Sequence, residues 1–241
     1  MKTMICLILD RSGSMSGREN DVVGGVNAFI EDQKKLPDPA SIAFVRFETG
    51  CIERFRPIQA LSEVKPLTRE EYQPRGGTPL LDAVGSTITA LDEDWKTEKP
   101  ERAIVVIVTD GEENASKEYT KAKIQALIKA RQDSGMWAFI YLGANVDAFS
   151  EASGMGINLQ NSAGYTNTAA GTKSLYATAS ASVGRMRMTG ATVAHNLGGN
   201  IGEDGSLDMK APKPQPTAAA PAPTWVPPTG VSGASTWTPP N

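Results

Sequence analysis

Asp10, Ser12 and Ser14 stand at alternate positions directly after the apolar run Met4-Ile5-Cys6-Leu7-Ile8-Leu9. A carboxylate and two hydroxyls issuing from the end of a buried strand put three hard oxygen donors into one short loop, a ligand chemistry that suits Mg2+ or a similar cation. Taken alone, the same residues also suit a plainer use, with Asp10 as a helix N-cap and the serines as turn residues. Two further strings bear on that choice. Thr109-Asp110-Gly111 closes the most apolar run in the chain, Ala103 to Val108, and so supplies a second carboxylate at a strand end. Arg75-Gly76-Gly77-Thr78-Pro79-Leu80 offers another hydroxyl on a loop whose glycines permit close backbone approach.

These residues need elements to bring them together, and the chain alternates strand and helix patterns in the way that predicts a doubly wound, mostly parallel α/β sheet with helices on both faces. Strands are expected at Thr3 to Leu9, Ala103 to Val108 and Trp137 to Leu142, with a further short one at Ile157 to Leu159. Ser41 to Glu48 and Cys51 to Ile58 are separated only by Thr49-Gly50, which predicts a hairpin and therefore one antiparallel edge strand. Helical spacing places Val22, Val26, Phe29 and Ile30 on a helix from about Arg18 to Lys35, ended by Pro37. Its Gly24 and Gly25 each cost about 1 kcal/mol of helix propensity, and close approach to the sheet is the expected compensation. Leu80 to Leu91, Ile124 to Ile128 and Leu175 to Val183 mark three more helices.

In an open parallel sheet, ligands bind beyond the carboxyl ends of the strands where successive connections leave in opposite directions. With the hairpin at one edge, that switch point falls between the first strand and the Val105 strand, so Asp10 and Asp110 are expected across one crevice with Thr78 brought in from the third loop.

The set Asp10, Ser12, Ser14, Thr78 and Asp110, read as D-x-S-x-S, a Thr in a G-G-T-P loop and a T-D-G strand end, resembles the metal-ion-dependent adhesion site of von Willebrand factor type A domains. The resemblance spans roughly residues 1–188, and three separate motifs match in the family's order. It implies Mg2+ or Mn2+ as the cofactor. Ser12, Ser14 and either Thr78 or Asp110 would touch the cation, and Asp10 would act mainly through bound water. An open position would accept an Asp or Glu of a protein partner. Two carboxylates roughly balance a divalent charge while hydroxyls add none, so such a cation retains affinity for an external anion.

Other readings meet particular obstacles. A haloacid-dehalogenase-type phosphatase wants a carboxylate where Ser12 stands, and a serine hydrolase needs G-x-S-x-G, where Gly13-Ser14-Met15-Ser16-Gly17 puts Met15 at the nucleophile position. The expectation is a non-enzymatic binding module, with a metal-assisted hydrolase and a structural component docking through its tail as alternatives. Glu112 and Glu113 read as a solvated acidic loop, Arg11 and Arg75 as solvated charge or as an attraction for an acidic partner. The lone His195 lies in a Gly-rich stretch.

A formal charge of −3 without a clustered basic face gives no nucleic-acid footprint, and no stretch is long enough to span a membrane. Cys6 and Cys51 sit on strands expected to be two apart, roughly 9 to 10 Å, beyond the reach of about 7 Å for a disulfide. Free thiols predict a cytoplasmic protein. The expected organisation is a type A domain over residues 1–189, a Gly-rich linker over 190–209, and a disordered Pro/Ala/Thr-rich tail over 210–241. Within the tail Thr224-Trp225-Val226-Pro227-Pro228 and Thr236-Trp237-Thr238-Pro239-Pro240 repeat one unit, whose Trp225 and Trp237 are candidate partner-binding residues.

Overall fold

The computed structural model describes residues 1–144, 148–194 and 197–209. Its elements run β1 (Thr3–Asp10), α1 (Glu19–Lys34), β2 (Ala40–Glu48), β3 (Cys51–Ala60), α2 (Leu80–Glu98), β4 (Arg102–Thr109), α3 (Lys121–Asp133), β5 (Trp137–Gly143), α4 (Ala148–Gly154), β6 (Ser162–Tyr165), α5 (Ala169–Thr189), β7 (Asn200–Ile201) and β8 (Leu207–Asp208). The strands form one sheet in the order β3-β2-β1-β4-β5-β6-β7-β8, parallel throughout except for β3 and β8 at the two edges.

Every residue of β1, β4 and β5 is buried, as expected for central strands covered on both faces. The period-2 alternation then divides each strand between two cores. Ile5, Leu7 and Leu9 pack with Val22, Val26 and Phe29 of α1 and with Leu175, Tyr176 and Val183 of α5. Met4, Cys6 and Ile8 pack on the other face with Leu80, Val84 and Ile88 of α2 and Ile124 of α3. The connections after β1 and β4 therefore leave to opposite faces, and the crevice lies between these two neighbouring strands. Among the described residues no helix is long and apolar enough to cross a membrane.

The architecture departs from the sequence expectations at four places. Both sheet edges are antiparallel, not one. The strand expected at Ile157 to Leu159 lies at β6 instead, where Ser162, Ala163 and Gly164 pair with Tyr141, Leu142 and Gly143; Ile157 is a core anchor and Leu159–Asn161 form a 3-10 turn. Weak strand formers are held there by pairing with β5 rather than by propensity. The stretch read as a Gly-rich linker contributes β7 and β8 to the sheet, with Leu197 and Ile201 buried in the core. Gly25 makes room for a helix and not for the sheet, because a Cβ there would lie 2.1 Å from the Tyr176 ring of α5. His195 and residues 210–241, with Trp225 and Trp237, lie outside the described residues.

Candidate functional site

Asp10 ends β1 and is almost wholly buried, 1% exposed. One of its carboxylate oxygens accepts the Ser12 N–H at 2.7 Å and the other accepts the Thr109 hydroxyl from β4 at 2.5 Å. Burial pushes its pKa up to about 6, against the lowering effect of the Thr109 and Ser12 hydrogen bonds, and the Asp110 charge adds to the rise. Its backbone carbonyl accepts the hydroxyl of the buried Tyr72. The loop that follows is pinned on all sides: Arg11 N–H donates to the Phe47 carbonyl at 3.0 Å, Gly13 N–H to the Gly76 carbonyl at 2.8 Å, and Met15 plugs into the core.

Ser12 is buried and Ser14 exposed, their hydroxyls 3.0 Å apart. Ser14 donates to Asp110 Oδ1 at 2.6 Å, so the proton between the two serines belongs to Ser12 and the chain of donors runs Ser12 to Ser14 to Asp110. The Asp110 Oδ2 receives a longer contact, 3.4 Å, from the Asn167 amide just before α5. Thr78 is 2% exposed and arrives on the third loop. Its backbone N–H donates to Asn114 Oδ1 at 2.9 Å, and Asn114 N–H returns a bond to the Thr78 carbonyl at 3.2 Å. Gly76 has φ +68°, and a Cβ on Gly77 would meet Asn114 Oδ1 at 2.8 Å and Thr49 Oγ1 at 2.9 Å, which explains the double glycine.

The five expected residues therefore converge. A Cβ on Gly111 would stand 2.8 Å from Thr78 Oγ1 and 3.5 Å from Ser14 Oγ, so the glycine of T-D-G keeps open a space lined by hydroxyls from two other loops. Neither Asp10 nor Asp110 has an ion-pair partner among the described residues. Nor does any group of three or more His, Cys, Asp and Glu side chains converge to hold a metal there. The donor set is two carboxylates and three hydroxyls, hard oxygen throughout, and it fits a hard divalent cation by chemistry and by the uncompensated charge of its carboxylates.

Several residues that position this site were not read as supports from the sequence. Glu113, read as solvated, caps α2: its Oε2 accepts the Leu81 N–H at 2.8 Å, and its Oε1 accepts the N–H groups of Ala115 and Ser116. Asp82 in the first turn of α2 reaches back, accepting the N–H groups of Lys117, Glu118 and Tyr119 at 2.7 to 2.9 Å. Burial pushes the Asp82 carboxyl up, but these three donors outweigh it and hold the group below the usual carboxylate range. Acidic residues beside the first turn of a helix were the available signal. Arg11 is neither solvated nor aimed at a partner; it is 3% exposed, 3.4 Å from Glu48 and 3.3 Å from Cys51 Sγ. Glu48 also holds Arg75 at 2.9 Å.

No protein-family model and no curated protein matches the sequence. Solved structures do share the fold. A von Willebrand factor type A protein from Catenulispora acidiphila aligns with a TM-score of 0.52 and 16% identity over 75% of this chain and 42% of its own. The pilus adhesin SpaC from Lactobacillus rhamnosus GG, in an open conformation, aligns at 0.56 and 14% over 76% of this chain and 30% of its own. Proximal thread matrix protein 1 from the mussel byssus aligns at 0.47 and 14%, over 73% and 44%. The chain thus spans less than half the length of each. The expectation of a cytoplasmic protein is overturned by the pilus adhesin, which carries this fold in a pilus. The cysteine argument failed because Cys6 and Cys51 lie on strands separated by β2, so they cannot pair in any compartment and their free thiols carry no compartment signal. The fold of this chain is that of a von Willebrand factor type A domain.

Proposed function

We propose that the crevice between β1 and β4 binds Mg2+ or Mn2+ and, through it, a carboxylate of a protein partner. One observation carries the reading: two carboxylates without ion-pair partners among the described residues, one of them buried, face the same crevice as three hydroxyls, the five side chains coming from three loops. Ser12, Ser14 and either Thr78 or Asp110 would hold the cation. Asp10, with both oxygens already accepting hydrogen bonds, would orient the shell from behind. Bound there, the cation would supply a positive charge on which an incoming Asp or Glu completes the coordination. The chain's own residues fix where that happens, since Thr78 is held by Asn114 and Ser14 by Asp110. Binding is the reading taken over hydrolysis because both carboxylates are engaged in positioning the loops, Asp10 through Ser12 and Thr109 and Asp110 through Ser14.

The test is calorimetric titration with Mn2+. The wild type is expected to bind, and Asp10→Ala with Asp110→Ala to lose at least about 100-fold in affinity, since the pair supplies all the negative charge. Equal binding by both proteins would remove the site. Capture of a partner with and without EDTA then separates recognition through the metal from recognition on another surface.

A further inference from the structure

On the face of the sheet away from α2 and α3, α1 and α5 pack side by side, with Gly25 receiving the Tyr176 ring at the seam. Outside the seam both helices present small side chains to solvent, with Asp21, Asp32 and Lys173 beside them in one cleft and Asp32 and Arg185 in the next. Gly24 and Ala28 of α1 face Ala177 of α5 across a cleft of about 500 Å³, and a second cleft of about 610 Å³ continues past Ala181 to Met188, sharing Asp32 and Ala177 with the first. The floor is open: a Cβ on Gly24 would meet nothing within 4 Å. Met188, 64% exposed, stands at the far end. Apolar surface in a concave groove of this kind is what bulky, uncharged side chains fill.

The chain itself contains such side chains. The described fold ends at Met209, directly after β8, and Leu207 of β8 lines a further cleft together with Ala177 and Ala181, on the other flank of α5. The last described residues therefore lie beside the helix that walls both clefts. The only charged side chains of residues 210–241 are Lys210 and Lys213, and the segment carries Trp225 and Trp237, each followed two residues on by a proline pair. Fifteen residues separate Met209 from Trp225; in extended Pro-rich form they reach about 50 Å. The whole of α5, 21 residues, is about 32 Å long. The two clefts are centred about ten residues apart along α5, or about 15 Å, and the two tryptophans are twelve residues apart, a separation that spans this distance without full extension.

We propose that residues 210–241 fold back onto their own domain, with Trp225 and Trp237 seated in the two α1–α5 clefts. The prolines beside each indole hold the backbone extended and reduce the ordering cost, and the second indole binds at the high local concentration set by the first. This inference uses none of the crevice residues and stands apart from the metal reading.

The experiment is 19F NMR on the full chain labelled with 5-fluorotryptophan, its four resonances assigned with Trp225→Phe and Trp237→Phe. A synthetic peptide of residues 221–241 supplies the free positions. Both tail resonances are expected away from those positions, at shifts independent of protein concentration. Gly24→Glu closes the first cleft and Ala181→Glu the second; both sites are exposed and Glu is a good helix former, so the Trp95 and Trp137 resonances should stay in place and report an intact fold. Each variant should return one tail resonance to its free position, and the double variant both. Coincidence with the free peptide in the wild type would overturn the proposal. So would displaced resonances that ignore both substitutions, which place the tail on another surface, or displacement that grows with concentration, which places it on a second copy.

Discussion

The crevice has two walls, and they are held in different ways. The β1 wall, residues 10–15, is set by burial: Arg11 is sealed against Glu48, Met15 sits in the core, and the backbone is tied to Phe47 and Gly76. The β4 wall, residues 109–119, has exposed positions at Glu112, Asn114, Lys117 and Glu118 and is instead tied to the start of α2 by two carboxylates, Asp82 in the first turn of that helix and Glu113 reaching to it from the wall. Packing distributes its energy over many contacts, whereas a charge-assisted hydrogen-bond network concentrates it in a few groups. The β4 wall should therefore yield to single substitutions and to acid at points where the β1 wall does not.

The largest effect is expected from Asp82→Ala, which strands three N–H groups at once. With half-exposed neighbours able to recruit water, the loss should be about 3 kcal/mol of unfolding free energy in a urea titration. Hydrogen exchange should rise at residues 112–119 and remain unchanged at 10–15. Equal acceleration on both walls would mean that they are one cooperative unit. The same carboxylate gives the pH dependence its sign. Because the folded state holds Asp82 below its unfolded value of about 3.9, its contribution is complete above that pH and disappears as pH falls through the folded value. The stability gap between wild type and Asp82→Asn should accordingly be widest near neutrality and narrow below about pH 4; a gap independent of pH would show that the charge is not what matters.

Thr109→Val comes next. Thr109 is fully buried and its hydroxyl bridges the walls, donating to Asp10 and accepting the Gly111 N–H at 3.1 Å. The isosteric change preserves volume but leaves a buried carboxylate oxygen without its donor, which should cost about 2 kcal/mol. Glu113→Gln should cost about 1 kcal/mol, since the amide keeps one acceptor for the α2 N-terminus but loses the charge that favours that end of the helix. A Glu113 effect larger than that of Asp82 would reverse the order of the two anchors.

The difference between the walls also governs what could be read from the chain before its fold. The convergence of Asp10, Ser12, Ser14, Thr78 and Asp110 was legible because four of them follow apolar runs and Thr78 sits in a Gly-Gly loop before a helix, and the order of β2, β1 and β4 follows from the hairpin and the alternation. The supports of the β1 wall were half legible: Met15 is apolar, but nothing in the sequence distinguishes a buried Arg11 from a solvated one until Glu48 is placed beside it. The anchors of the β4 wall were hidden because Asp82 acts 35 residues from its first partner, Lys117. At the far edge β6, β7 and β8 run to four, two and two residues, too short for a period-2 pattern to register, and they are strands by pairing in series, β6 on β5, β7 on β6 and β8 on β7.

The smallest expected effect on stability is the most informative about the crevice. Ser14 is exposed, and among the described residues its hydroxyl bonds Ser12 and Asp110; without it Asp110 can turn to water and the buried Ser12 hydroxyl to Asp10. Ser14→Ala should change unfolding free energy by less than about 0.5 kcal/mol, because an exposed hydroxyl returns to solvent at little cost. Its effect on Mn2+ affinity should be larger than its effect on folding, about 10-fold, and smaller than that of Asp110→Ala, because a neutral donor is lost instead of a charge. That pattern, folding spared and metal weakened, is what separates a ligand from a support. The opposite pattern, a destabilisation above about 1 kcal/mol with unchanged Mn2+ binding, would make Ser14 a strut between the walls and shift the proposed cation toward Thr78 and Asp110.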